Sequence, residues 1–195
     1  MEKILEWVAL FLVITASSSF LFIREWRWSL GIMAVLYLSA FWLIQANWPL
    51  TMAAAKLVTG WMACTILAIA RYGSHTTPPS ETAWPQGHLF RIFIIGINAM
   101  VTIIFSTRIS VWLAISIPVA LGGLYAIGLG VLYMGITARA FRVIIALLTI
   151  LIGFEIIYSA VERSILVTAM LSVINLGLAL IGGYFLTIEE SEVAL

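Results

Sequence analysis

Residues 142–164, RVIIALLTILIGFEIIYSAVERS, decide how the rest of the chain is read. Between Arg142 and Glu162 the only charged residue is Glu155. A run this long and this apolar suits a helix crossing a bilayer, which needs about 20 residues at about 1.5 Å each. The helical form is required because lipid offers no partner to an unpaired backbone amide. The same stretch raises the functional question, since it places a carboxyl group where charge is costly.

Working outward, the whole chain repeats this character. It has 195 residues, of which 63% are hydrophobic and 10% charged, with a mean hydropathy of +1.13. Soluble domains carry about 25% charged residues, so the composition predicts an all-α integral membrane protein. Seven spans are predicted, near 4–22, 29–47, 50–70, 90–107, 110–134, 143–160 and 165–187. Pro49 suits the first turn of the third. A stretch rich in Pro, Ser and Thr, 71–89, divides three helices (1–70) from four (90–195). The first segment lacks a basic leader because Glu2 and Glu6 stand there, so it is expected to be a retained helix and not a signal peptide.

Basic residues give an expected orientation. Arg24, Arg27, Arg71, Arg91, Arg139 and Arg142 fall at one side of this scheme, and Lys3, Arg108 and Arg163 at the other. The excess predicts a cytoplasmic C-terminus and an outer N-terminus. Trp26, Trp28, Trp48, Trp84 and Trp112 sit near span ends and are expected to anchor at the headgroups. Trp42 and Trp61 read equally well as packing residues.

Several polar residues interrupt the spans: Lys56, Glu155 and Asn175 inside them, and Glu162 at the end of the sixth. An intramembrane charge costs about 2.5–3.5 kcal/mol on insertion scales, so it should face protein or water and serve a purpose. Glu155 and Glu162 are seven apart, about 10.5 Å along a helix, with Ser159 between them on the same face. Such a stripe can pass protons through bound water. The plainer alternative leaves Glu162 and Arg163 as interfacial charges. Lys56 either pairs within the bundle or extends its stem to the surface. Asn175 either joins two helices or binds a ligand, the first being the commoner use.

Other chemistries are not signalled. Cys64 stands alone, which excludes a disulfide framework and fits a small packing residue. His75 and His88 lie in or beside the polar loop, not paired within a span as haem ligation would need. No phosphate loop, nucleophile elbow or metal-ligand spacing is present. No cofactor is expected, and a net charge of +1 without a basic cluster gives no sign of nucleic acid. The bilayer is the one partner that composition itself names.

The segment GITARAFRVIIALLTILIGFEIIYSAVERS, 135–164, resembles the chain 4L-type membrane subunit of respiratory complex I. That family has three helices, a basic turn after the first, then Gly-x-Glu and a small polar run. Gly153-Phe154-Glu155 stands for the Gly-x-Glu, and Thr137, Arg139 and Arg142 for the basic turn. Ser159 to Glu162 replaces the polar run, and Asn175 lies nearest the family's second glutamate. The resemblance covers about 110–187. More faintly, 24–70 resembles the chain 6-type subunit and its relatives in Mrp antiporters and membrane-bound hydrogenases, with Met52 where an acid would stand.

The resemblance implies a non-catalytic subunit that helps move protons or sodium, beside large antiporter-like membrane subunits. It also implies a bacterial or archaeal cytoplasmic membrane, or that of an energy-transducing organelle. Glu155 would be the protonatable station, Lys56 its charge partner, and Ser159 with Glu162 a relay. The competing expectation is a purely structural subunit joining ion-translocating or photosynthetic proteins. Packing at Gly128, Gly130, Gly177 and Gly182 would then matter more than the charges.

Overall fold

The computed structural model describes residues 2–23, 25–73, 87–137 and 139–193. Arg24, Trp84, His75 and most of the predicted polar loop lie outside the described residues, as do the side chains of Lys3 and His88. Seven helices follow one another: α1 (Glu2–Ser19), α2 (Trp26–Gln45), α3 (Leu50–Gly73), α4 (His88–Leu113), α5 (Ile117–Ile136), α6 (Ala140–Val161) and α7 (Ile165–Val193). The chain is an all-α membrane bundle, with no strand among the described residues. Six of the helices, α2 to α7, are long and apolar enough to cross a bilayer. The apolar part of α1, Ile4–Ser19, is shorter. The 18 residues of α1 span about 27 Å, close to a hydrocarbon core of about 30 Å.

One boundary differs from expectation. The fourth helix was placed at 90–107, but α4 runs on to Leu113 and carries Arg108 within it. Nothing at Arg108 stops a helix; the stop comes at Ala114, whose φ of 53° is left-handed. Ser110 closes that turn, its carbonyl accepting from Ala114 and Ile115 and its hydroxyl donating to the Ile115 carbonyl at 2.7 Å. Ser116 at the N-cap position and Pro118 in the first turn then open α5. The sixth helix ends within a residue of its expected end, and Glu162 follows it. It leaves the helix in extended geometry, φ −140° and ψ 145°.

The contacts group the helices into two four-membered rings. One is α1–α2–α6–α5, the other α2–α3–α7–α6, and they share the α2·α6 edge. Each ring takes helices from both sides of the polar loop. Helix α4 stands outside both, packed on α5. The α5·α6 contact is the most extensive, and glycine makes it possible. A Cβ on Gly153 would lie 2.5 Å from the Gly123 carbonyl oxygen, and one on Gly130 would lie 2.9 Å from that of Ala146. Small residues therefore bring the two backbones together, as membrane helices require when no solvent drives association. Gly128 and Gly182 are also closely covered, by Asn98 and by Ile144 respectively. Gly177 has nothing within 4 Å among the described residues, so the packing role expected for it is not met there.

Trp48 also departs from its reading as a lipid anchor. It is 3% exposed, and its indole donates to the Glu162 carbonyl at 2.9 Å. It thereby ties the α2–α3 turn to the α6–α7 turn. Trp28 and Trp112, at 67% and 82% exposed, do present their rings outward.

Candidate functional site

The second ring, α2–α3–α7–α6, has a polar interior built from both of its diagonals. Across one, Lys56 Nζ on α3 donates to Glu155 Oε1 on α6 at 2.6 Å. Across the other, Tyr37 Oη on α2 donates to Asn175 Oδ1 on α7 at 2.6 Å. Gly60, one turn after Lys56, makes room for Tyr37, whose ring fills the space a Cβ there would need. The Tyr37 ring lies over Gly60, one turn from Lys56, so the two bridges stand side by side as one cluster.

All four side chains are withdrawn from the surface. Lys56 and Glu155 are 3% and 4% exposed, and Tyr37 and Asn175 are likewise buried. Lys56 therefore does not extend its stem to the headgroups, which was one of the two fates open to it. Its ammonium instead meets the carboxylate that the same stretch of membrane would otherwise leave bare. The desolvation of such a pair can exceed its attraction, yet removing one partner alone costs about 3–5 kcal/mol because the other charge is stranded.

The cluster is off-centre in the bundle. Lys56 is six residues after Leu50 and Glu155 six before Val161, about 9 Å from the respective helix ends. Those ends adjoin one another, as the Trp48–Glu162 bond shows. Tyr37 and Asn175 lie about 12 and 15 Å from the same side, eight and ten residues from their helix ends. The site thus descends from one face of the bundle, with the ion pair nearer that face and the neutral pair deeper.

The predicted stripe on α6 is only partly realised. Ser159 shares the buried side of Glu155, but its hydroxyl donates to the Ile156 carbonyl of its own helix at 2.7 Å. Glu162 lies past the helix end, exposed, with Oε1 accepting from the Arg163 amide at 3.2 Å. The seven-residue spacing aligns the two glutamates only if the helix continues through both, and it stops at Val161. Asn175 does what interhelical amides usually do, but only half of it is engaged: its Nδ2 is buried without a hydrogen-bond partner among the described residues.

Sequence reasoning missed Tyr37 and Gly60. Nothing in the sequence separates Tyr37 from five other tyrosines; its role follows from facing Asn175 138 positions away. As for metals, no group of three or more His, Cys, Asp or Glu side chains comes together among the described residues. Chemically, the arrangement holds a carboxylate, an ammonium, a phenol and an amide within one buried ring. Such a set of groups can rearrange a proton or a charge. Compared with known families, curated proteins and solved structures, the chain shows no match.

Proposed function

We propose that this chain is a non-catalytic membrane subunit of a multisubunit ion-translocating assembly of the complex I, hydrogenase or Mrp type. In it the Lys56–Glu155 pair serves as a charge switch. The observation that carries this reading is the pair itself, a 2.6 Å contact between two nearly inaccessible side chains on helices that only the fold brings together. Intramembrane ionisable pairs of this kind mark proton and ion pathways. Tyr37 and Asn175 extend the polar interior deeper, and the unpartnered Asn175 Nδ2 gives a water or a transient acceptor somewhere to bind.

The test is ion movement by the assembly purified with its partners and placed in proteoliposomes. Glu155→Gln is expected to abolish coupled ion movement while the partners still co-purify. A double variant, Lys56→Met with Glu155→Gln, removes both charges and should assemble as well but remain inactive. Normal ion movement by either variant would sink the proposal.

One observation favours a second reading, a structural subunit. Ser159 turns to its own backbone and Glu162 sits outside the helix, so α6 offers no continuous polar path to its end. The pair would then act only as a clamp between α3 and α6. That reading expects both variants that assemble to retain full activity.

A further inference from the structure

A cavity apart from the ion-pair ring lies between the start of α1 and the last turn of α2, on the face of the bundle that carries the Trp48–Glu162 bond. Leu5 and Glu6 from α1 and Trp42, Gln45 and Ala46 from the end of α2 line it. No basic side chain is among them. Its volume is about 170 Å³, well above the roughly 10–15 Å³ that holds one water and below the roughly 300–1,000 Å³ of a drug-sized pocket. Its level is interfacial. Glu6 is four residues past the start of α1 and Trp42 three before the end of α2, about 6 and 4.5 Å along their axes.

Three features give this space a negative potential. Glu6 is half-buried, and its carboxylate forms no ion pair or hydrogen bond with a described side chain. Gln45 Oε1 is buried with no hydrogen-bond partner among the described residues, and a buried acceptor left so is rare in a native fold. The end of α2 adds the negative pole of its macrodipole, which no basic residue in its last turn offsets. Trp42, 36% exposed, brings an indole to the same wall. The face of such a ring attracts ammonium groups.

We infer that this cavity binds the ammonium group of an organic amine, carried by a small free amine or by the headgroup of an aminophospholipid. A primary ammonium has three N–H donors, enough to serve the Glu6 carboxylate and the Gln45 amide oxygen together. Its charge suits the Trp42 ring, and its carbon stem suits Leu5. A calcium ion would want about six to eight oxygen ligands, and the lining side chains offer one carboxylate and one amide.

The experiment uses the full chain, purified in detergent and stripped of lipid. It is offered phosphatidylethanolamine, the N-acetylated form of the same lipid, which lacks the ammonium, and separately ethanolamine. Native mass spectrometry counts bound lipid, thermal unfolding reads the affinity for ethanolamine, and helix content checks folding. Wild type should hold phosphatidylethanolamine in preference to its N-acetylated form, or be stabilised by ethanolamine. Glu6→Gln, which keeps the shape of the side chain, should weaken that binding about tenfold or more, as expected for a hydrogen bond to a charged group. Trp42→Leu should weaken it about threefold. Glu25→Gln and Trp28→Leu, at exposed positions by the other end of α2, should leave it unchanged. A response to the lipid that depends on Glu6 assigns the headgroup as the source, and one to ethanolamine alone assigns the free amine. Equal retention of the two lipids with no response to ethanolamine, or binding that Glu6→Gln leaves intact, overturns the site.

Discussion

Helices α4 and α6 are alike as sequences and opposite as structures. Both are long and strongly apolar and each meets the length of a membrane span, yet half of the apolar stretch of α6 is buried against 17% of that of α4. The difference lies in what each helix offers its neighbours. Helix α6 carries Gly153 against the α5 backbone and Glu155 against Lys56. Helix α4 buries the polar residues Asn98, Thr102 and Ser106, and its main packing is against α5. Along it, Asn98 Nδ2 donates to the Tyr125 carbonyl at 3.3 Å and the amide rests on Gly128. Apolar surface thus places a helix in the membrane, while close backbone approach and paired polar groups place it in the protein.

The contrast can be broken most strongly at the charges. Glu155→Leu or Lys56→Met alone is expected to destabilise the protein by about 3–5 kcal/mol, because each strands a buried charge. The double variant should recover most of that loss. Unfolding in mixed micelles of increasing dodecyl sulfate content would measure it, and additive losses would show that the two residues are not coupled.

Gly153→Val tests the backbone contact. A side chain there meets the Gly123 carbonyl, which cannot turn aside, so a loss of about 1–3 kcal/mol is expected from overpacking. The same unfolding assay reads it, and a neutral result would mean that α5 and α6 are further apart than described.

On α4 the effects should be smaller. Asn98→Ala removes one long interhelical hydrogen bond, and such bonds average about 0.6 kcal/mol in membranes, with a maximum near 1.7. Gly96→Ala meets nothing within 4 Å and should change stability by less than about 0.5 kcal/mol. A large loss at Gly96, read in the same assay, would show that the outer face of α4 is covered by protein and not by lipid.

Much of the fold was legible beforehand because the bilayer imposes it residue by residue. Hydropathy marked every helix, and Pro49 placed the start of α3. The α4–α5 boundary was misplaced because Arg108 looked like an interfacial charge, although Ser116 and Pro118 were the true punctuation. Glu155 and Lys56 also stood out, since an ionisable residue in a span is an anomaly anywhere it occurs. The supposed alignment of Glu162 failed for a local reason: the helix ends at Val161, so the seven-residue spacing does not carry Glu162 onto the face of Glu155.

The sequence by itself determined that this chain is an all-α membrane protein and that two of its intramembrane charges need an explanation. Only the tertiary structure decided that those charges answer each other across 99 positions, that Tyr37 meets Asn175 on the crossing diagonal, and that α4 stands apart. The reason is physical. In lipid, the faces of a helix that touch hydrocarbon and those that touch protein are equally apolar, so partner choice leaves little trace in local composition. It is settled where glycines let backbones meet and where a buried charge finds its opposite.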